Sequence, residues 1–242
     1  MVTVKGLQKK FKDVEAVKVI SFSVGEGEIV GLLGENGAGK TTTLRMLATM
    51  LKCSGGTATI NGYDVVKQPE LVRSQIGILF GGEVGLYDRL TARENIAYFG
   101  ELNNMSKQEI NDRINSLAAM LEMEEYIDRK VGKFSKGMKQ KVAIARSIVH
   151  NPKVMLFDEP TSGLDIGSAK VVQDFILQCK KEKKAIIFSS HTMAEIQRVC
   201  DRVLIIHKGS IVEEGTFDQL KEKYQNDDIE SIFLRLVGEE NE

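Results

Sequence analysis

The sequence predicts an α/β fold with a mainly parallel core sheet, on three observations. Short apolar runs rich in Val, Ile and Phe alternate with longer segments of helical period. A glycine-rich turn, Gly34 to Thr41, joins one of those runs directly to a helical one. The length of 242 residues is enough for one large domain of this class and a sizeable core.

In chain order, the strand candidates are residues 2–5, 20–24, 29–33, 57–60, 76–80, 154–157, 185–189, 203–207 and 211–214, several of the early ones antiparallel. The run 29–33 enters the glycine turn, and the helix beyond it carries Leu44 and Leu47. From about residue 91 to 129 no strand pattern occurs. Instead Ile110, Ile114, Leu117 and Leu121 recur at helical spacing behind a Ser106-x-x-Glu109 capping box, which predicts a helical insertion. Further helices carry Met138, Val142, Ala145 and Val149 on one face, and Val172, Phe175, Ile176 and Cys179 behind Asp165. Thr192-x-x-Glu195 predicts another capping box. The expected organisation is a single domain over 1–242, with a core of about 1–90 and 150–220, a helical subdomain of about 91–149 and a helical tail over about 221–242. The terminal Gly238-Glu-Glu-Asn-Glu reads as a frayed acidic tail.

Composition excludes several classes. Hydrophobic residues at 42% and charged residues at 28% rule out disorder and fibrous repeats. Lys plus Arg at 33 against Asp plus Glu at 34 leaves a net charge of −1, so no global field gathers nucleic acid, and none is expected as a partner. Cys53, Cys179 and Cys200 have neither disulfide-framework nor zinc spacing, which fits a reducing cytoplasm. Charge interrupts the first ten residues, and no segment approaches the ~18 apolar residues of a membrane helix. The chain is therefore expected neither to span a membrane nor to be secreted.

Gly34-Glu35-Asn36-Gly37-Ala38-Gly39-Lys40-Thr41 matches the pattern Gly-x-x-x-x-Gly-Lys-[Ser/Thr] between a strand and a helix. Glycines let the loop turn its N–H groups onto phosphate oxygens, and the following helix presents its positive end. Lys40 can reach the β- and γ-phosphates, the Thr41 hydroxyl can bind Mg²⁺, and Thr42 belongs to the same phosphate-facing turn. The plainer alternative is a glycine-rich strand-to-helix turn. The apolar run 154–157 ends in Asp158-Glu159, at the strand edge where ligands of open α/β sheets gather. Asp158 then serves Mg²⁺ with Thr41, and Glu159 is free to orient or deprotonate a water. Taken alone, two acids can merely terminate a strand. His191 follows run 185–189 in the same kind of position and can contact a γ-phosphate oxygen or the attacking water; by itself a histidine there is more often ordinary structure than chemistry. His150 and His207 have no such setting.

Between loop and carboxylates lies Phe134-Ser135-Lys136-Gly137-Met138, and after them Ser162-Gly163-Leu164-Asp165. In order and spacing these motifs resemble the ATP-binding cassette of ABC transporters, from about Val2 to Phe217. The stretches Leu47 to Leu51, Ile78 to Glu83, Gly85 to Asn95 and Phe134 to Met138 are similar to those of the ATP-binding subunit of NatA-type sodium exporters. The resemblance implies a P-loop NTPase core of the RecA type, bound ATP with Mg²⁺, and a twofold homodimer closing head to tail over two nucleotides. It implies that Ser135, Lys136, Gly137 and Met138 form a signature loop gripping the γ-phosphate held by the other subunit, although Ser135 is also a good N-cap in its own right. It places Phe11 against adenine, with strand-end packing as the alternative, and makes Asp165 an interface acid as well as an N-cap. It also implies a separate integral membrane permease, docked at about residues 81–103, and a cytoplasmic location on the inner face of the cell membrane.

Two departures stand out. The family's Gln after run 76–80 is replaced by Gly81, with Gly82 and Glu83 next, leaving Glu83 or a water as the substitute; Gln75 lies before the strand and is expected to point elsewhere. Lys136 and Met138 stand where Gly and Gln are commoner. Rival functions are a soluble ABC-type switch acting on ribosomes or DNA, an exporter of drugs, lipids or peptides, and a P-loop kinase or GTPase. The last lacks an Asn-Lys-x-Asp base-reading motif.

Overall fold

The computed structural model describes residues 1–81 and 85–238. The strands form two sheets. β1 (Val2–Phe11), β2 (Val14–Val24), β4 (Gly55–Ile60) and β5 (Tyr63–Asp64) form an antiparallel sheet in the order β2-β1-β4-β5. β3 (Ile29–Leu33), β6 (Ile76–Leu79), β7 (Val154–Asp158), β8 (Ala185–Ser190), β9 (Arg202–His207) and β10 (Ser210–Gly215) form the second, in the order β10-β9-β3-β8-β7-β6. All its pairings are parallel except β10 with β9.

The central strands explain the division. β3, β7 and β8 are buried at every residue, as expected where both faces are covered. Side chains then alternate between two cores. Ile29 and Leu33 pack with the helices, whereas Val30 and Leu32 pack toward the antiparallel sheet. The helical side holds α3 (Ala92–Leu102), α4 (Lys107–Met120), α5 (Lys136–Ile148) and α6 (Ile166–Lys181). Ile110, Ile114 and Leu117 are the buried face of α4, and its Ser106/Glu109 capping box is formed from both sides. α1 (Lys40–Leu47) and α2 (Pro69–Gln75) lie on the other side of the sheet. The chain closes with α7 (Met193–Val199), α8 (Phe217–Tyr224) and α9 (Ile229–Gly238). Among the described residues no helix is long and apolar enough to cross a membrane.

Four expectations are corrected. The strands foreseen at 2–5 and 20–24 are long arms, because backbone pairing continues to Phe11 and Val14, where the side chains are exposed and no longer alternate between core and solvent. The strand foreseen at 76–80 ends at Leu79. Val149 is the C-cap of α5 and lies outside the helix proper. Thr192 makes no side-chain cap on α7, and its N–H donates to Ser190 Oγ rather than to the Glu195 carboxylate, which accepts from Thr161 and Ser190 instead. Gln75 does point away, accepting from Asn61 and donating to Ser74. Glu83 and the residues after Gly238 lie outside the described residues.

Candidate functional site: a phosphate loop facing two carboxylates

The loop from Gly34 to Gly39 leaves β3 and enters α1 at Lys40. Gly39 is the helix N-cap at φ 110°, and a Cβ there would stand 2.6 Å from the Ala16 carbonyl oxygen. At Gly34 a Cβ would meet the Ile206 carbonyl oxygen at 2.3 Å. No larger residue fits either place, so the loop is pressed against neighbouring backbone and its open side is left clear. Gly209 donates to the Ala38 carbonyl at 3.0 Å and accepts from Lys18 N–H at 2.7 Å, which stitches the loop to both sheets.

Lys40 is 5% exposed, and its Nζ donates to the carbonyls of Gly34 (2.6 Å) and Glu35 (3.1 Å). Glu159 Oε1 stands 3.9 Å away. Burial pushes the ammonium below its ordinary pKa, and the Glu159 and Asp158 carboxylates oppose that shift. Thr41 Oγ1 donates to Asp158 Oδ2 at 2.7 Å. Glu159 continues from Asp158 with φ 47°, a left-handed conformation that costs a non-glycine residue ~1–3 kcal/mol and must be held by its surroundings. Its N–H donates to the Ser189 carbonyl and to Ser189 Oγ, both at 3.1 Å. His191 Nδ1 lies 3.2 Å from Glu159 Oε1. The structure thus brings Lys40, Thr41, Asp158, Glu159 and His191 into one connected group.

The remaining residues lie around it. Asn36, Thr41, Gly81, Asp158 and Glu159 line a cleft of ~1010 Å³ whose opposite wall includes Phe134, Lys136, Lys139 and Gln140. Ser135 Oγ caps α5 by accepting from Met138 N–H at 3.2 Å, and Gly137 packs where a Cβ would meet Ser168 Oγ at 2.4 Å. Among the described residues no hydrogen bond or ion pair joins Ser135–Met138 to the phosphate loop of the same chain. Asp165 caps α6 through Ser168 N–H (2.9 Å) and Oγ (2.7 Å), bonds that hold its carboxyl below the usual range. Phe11 is 45% exposed with Lys9 Nζ 4.7 Å from its ring centre, near but outside the lining of a second hollow formed by Lys10, Asp13, Gly37 and Lys208. Ala38 is buried in the loop, and Thr42 is half-buried on α1.

Five contributors escape a reading of motifs. Ser189 Oγ donates to Asp158 Oδ1 at 2.6 Å, Gln140 Nε2 donates to the Pro160 carbonyl at 2.7 Å, and Glu195 accepts from Thr161 and Ser190. Ser189 could be found only by knowing that β7 and β8 are neighbours, with Asp158 and Ser189 in register. The donor set suits a magnesium nucleotide. A hydroxyl and a carboxylate offer hard oxygen ligands beside a loop whose N–H groups and lysine favour polyphosphate.

The profile of the ABC transporter family matches residues 17–162. This chain belongs to that family. The ABC transporter ATP-binding protein NatA of Bacillus subtilis is 50% identical to this ABC subunit over 97% of both chains. A solved ATP-binding subunit of an ABC transporter superposes with a TM-score of 0.89 at 28% identity, covering 98% of this chain and 99% of that one. A dimeric ATP-binding cassette with ADP and Pi superposes with a TM-score of 0.78 at 26% identity, over 89% of this chain and 98% of the other. The fold and the NatA-type resemblance are therefore as the sequence predicts, and the chain is the ATP-binding subunit of an ABC transporter.

Proposed function

We propose that this subunit hydrolyses Mg·ATP within a head-to-tail homodimer and so powers export of sodium ions through a separate membrane subunit. The observation supporting the chemistry is the contact of Thr41 with Asp158 while the adjoining Glu159 stands between Lys40 and His191. Lys40 and the N–H groups of residues 34–42 bind and orient the phosphates. Thr41 and Asp158 would hold Mg²⁺, which when bound supplies positive charge to the phosphate oxygens. Glu159 orients the attacking water and accepts its proton, and His191 hydrogen-bonds toward the γ-phosphate. Ser135 to Met138 and Asp165 act on the nucleotide held by the twin subunit, and Phe11 packs beside the base. The proposed unit is one ABC ATPase domain, with its helical subdomain at about 91–149.

The membrane subunit is proposed to dock along about residues 81–103, with the ATPase peripheral to the inner face of the cell membrane. Of this stretch, residues 82–84 lie outside the described residues. The rest exposes Tyr87, Tyr98 and Leu102, and the Tyr87 and Tyr98 rings meet edge to face at 5.6 Å. Gly81, Gly85 and Asp88 of the same stretch line the cleft, so docking and nucleotide are adjacent. Sodium is the cargo implied by the NatA-type resemblance, and the 50% identity supports it.

Glu159→Gln should retain ATP, hydrolyse it very slowly and accumulate as a dimer in analytical ultracentrifugation. Monomers at saturating Mg·ATP would contradict the joint clasp. For the cargo, vesicles containing this chain and its co-purified membrane protein should move sodium on addition of ATP; ATP-driven movement of a drug with no sodium flux would remove the sodium assignment alone.

A further inference from the structure

Glu159 and His191 leave the ends of different strands, β7 and β8, and their side chains meet at 3.2 Å. Keeping that separation requires the two loops to be fixed to one another. A single carboxylate links them. Glu195 Oε1 accepts from Thr161 Oγ1, and Glu195 Oε2 accepts from Ser190 Oγ, each at 2.6 Å. Thr161 lies two residues after Glu159, and Ser190 immediately precedes His191. Both hydroxyl residues are buried, at 4% and 2% exposure. Hydrogen bonds of hydroxyl to carboxylate at this length are the strong, charge-assisted kind.

The link extends into the backbone on both sides. Ser190 Oγ accepts from Thr192 N–H at 3.0 Å, and Ser162 N–H donates to the Glu159 carbonyl at 3.1 Å. Glu195 stands in the first turn of α7, where the helix end favours an anion. The sequence pattern would have it serve the Thr192 backbone, yet it serves the two loops.

We propose that Glu195 is a positioning residue for hydrolysis, its two carboxylate oxygens holding the Glu159 loop and the His191 loop in register. The inference rests on the ATPase reading of Glu159 and His191. Because Glu195 touches none of the phosphate-loop side chains, its loss should act on turnover and spare nucleotide affinity.

The test is steady-state ATPase kinetics of the full chain, with amide hydrogen exchange as an activity-independent readout. Glu195→Ala should lower kcat by roughly ten- to 100-fold, the scale of a slight misplacement of reacting groups, with KM for ATP within about twofold. Glu195→Gln, which can accept one hydroxyl proton and donate to the other hydroxyl, should recover most of that loss. Thr161→Val and Ser190→Ala each remove one arm and should each lower kcat, which keeps the proposal testable if Glu195→Ala does not fold. Thr161→Val added to Glu195→Ala should cost little more than Glu195→Ala alone. In Glu195→Ala the Ser162 and Thr192 amides should exchange faster. Unchanged kcat, a loss confined to KM, or a loss that follows melting temperature without rescue by Gln would overturn the assignment, as would unchanged exchange at both amides. A wild-type chain with no ATPase activity would remove the ATPase reading instead, and the exchange comparison would still decide whether Glu195 ties the loops.

Discussion

Lys40 is the residue on which affinity for phosphate turns. Its ammonium is buried and donates to the Gly34 and Glu35 carbonyls. Lys40→Ala should weaken ATP binding by roughly ten- to 100-fold, the loss of one charge-assisted contact, while leaving the fold intact. Isothermal titration checks this, and unchanged affinity would contradict the cradle. This lysine, Thr41, Asp158 and Glu159 are legible in the sequence because each sits at fixed spacing from a strand end. Ser189 and Glu195 are not, because their partners lie 31 and 34 residues away, for Asp158 and Thr161, and meet them only through sheet order. Cys179 and Cys200 are buried, which pushes the Cys179 thiol up to about 12 and raises that of Cys200 as well. Native protein should therefore release about one equivalent of thiol to a disulfide reagent at neutral pH, from half-buried Cys53, and about three when denatured.

Among the elements, the start of α4 is legible because its local signal is complete. Ser106 and Glu109 satisfy each other's backbone donors ahead of α4, and Ile110, Ile114 and Leu117 supply its buried face. Ser106→Ala should cost about 1 kcal/mol, lowering the melting temperature by roughly 2–4 °C in a chain of this size. Calorimetry gives the measurement, and no change would mean that α4 is held by packing alone. The same pattern at Thr192 and Glu195 does not close a capping box, since Ser190 Oγ takes the Thr192 N–H and the Glu195 carboxylate accepts from the buried Thr161 and Ser190 hydroxyls. The arms of β1 and β2 hide from the sequence for a different reason. Lys9, Lys10 and Phe11 carry no apolar alternation, so their ladder to Val14–Val17 is visible only in backbone pairing.

For the whole molecule, the order of strands places the decisive chemistry. β3, β8 and β7 lie side by side in that order, so strand ends far apart in the chain meet: Thr41 against Asp158, 117 residues away, and Asp158 against Ser189, 31 residues away. Alternation of strand and helix made the parallel sheet foreseeable, whereas the order of its strands required the structure. The stitching of the phosphate loop has a consequence at this scale. Gly209 reaches Ala38 and Lys18, and Gly39 fits closely beneath Ala16, so three distant stretches of chain share one seam. Peeling the antiparallel layer from the parallel one would therefore have to pull on the phosphate loop itself.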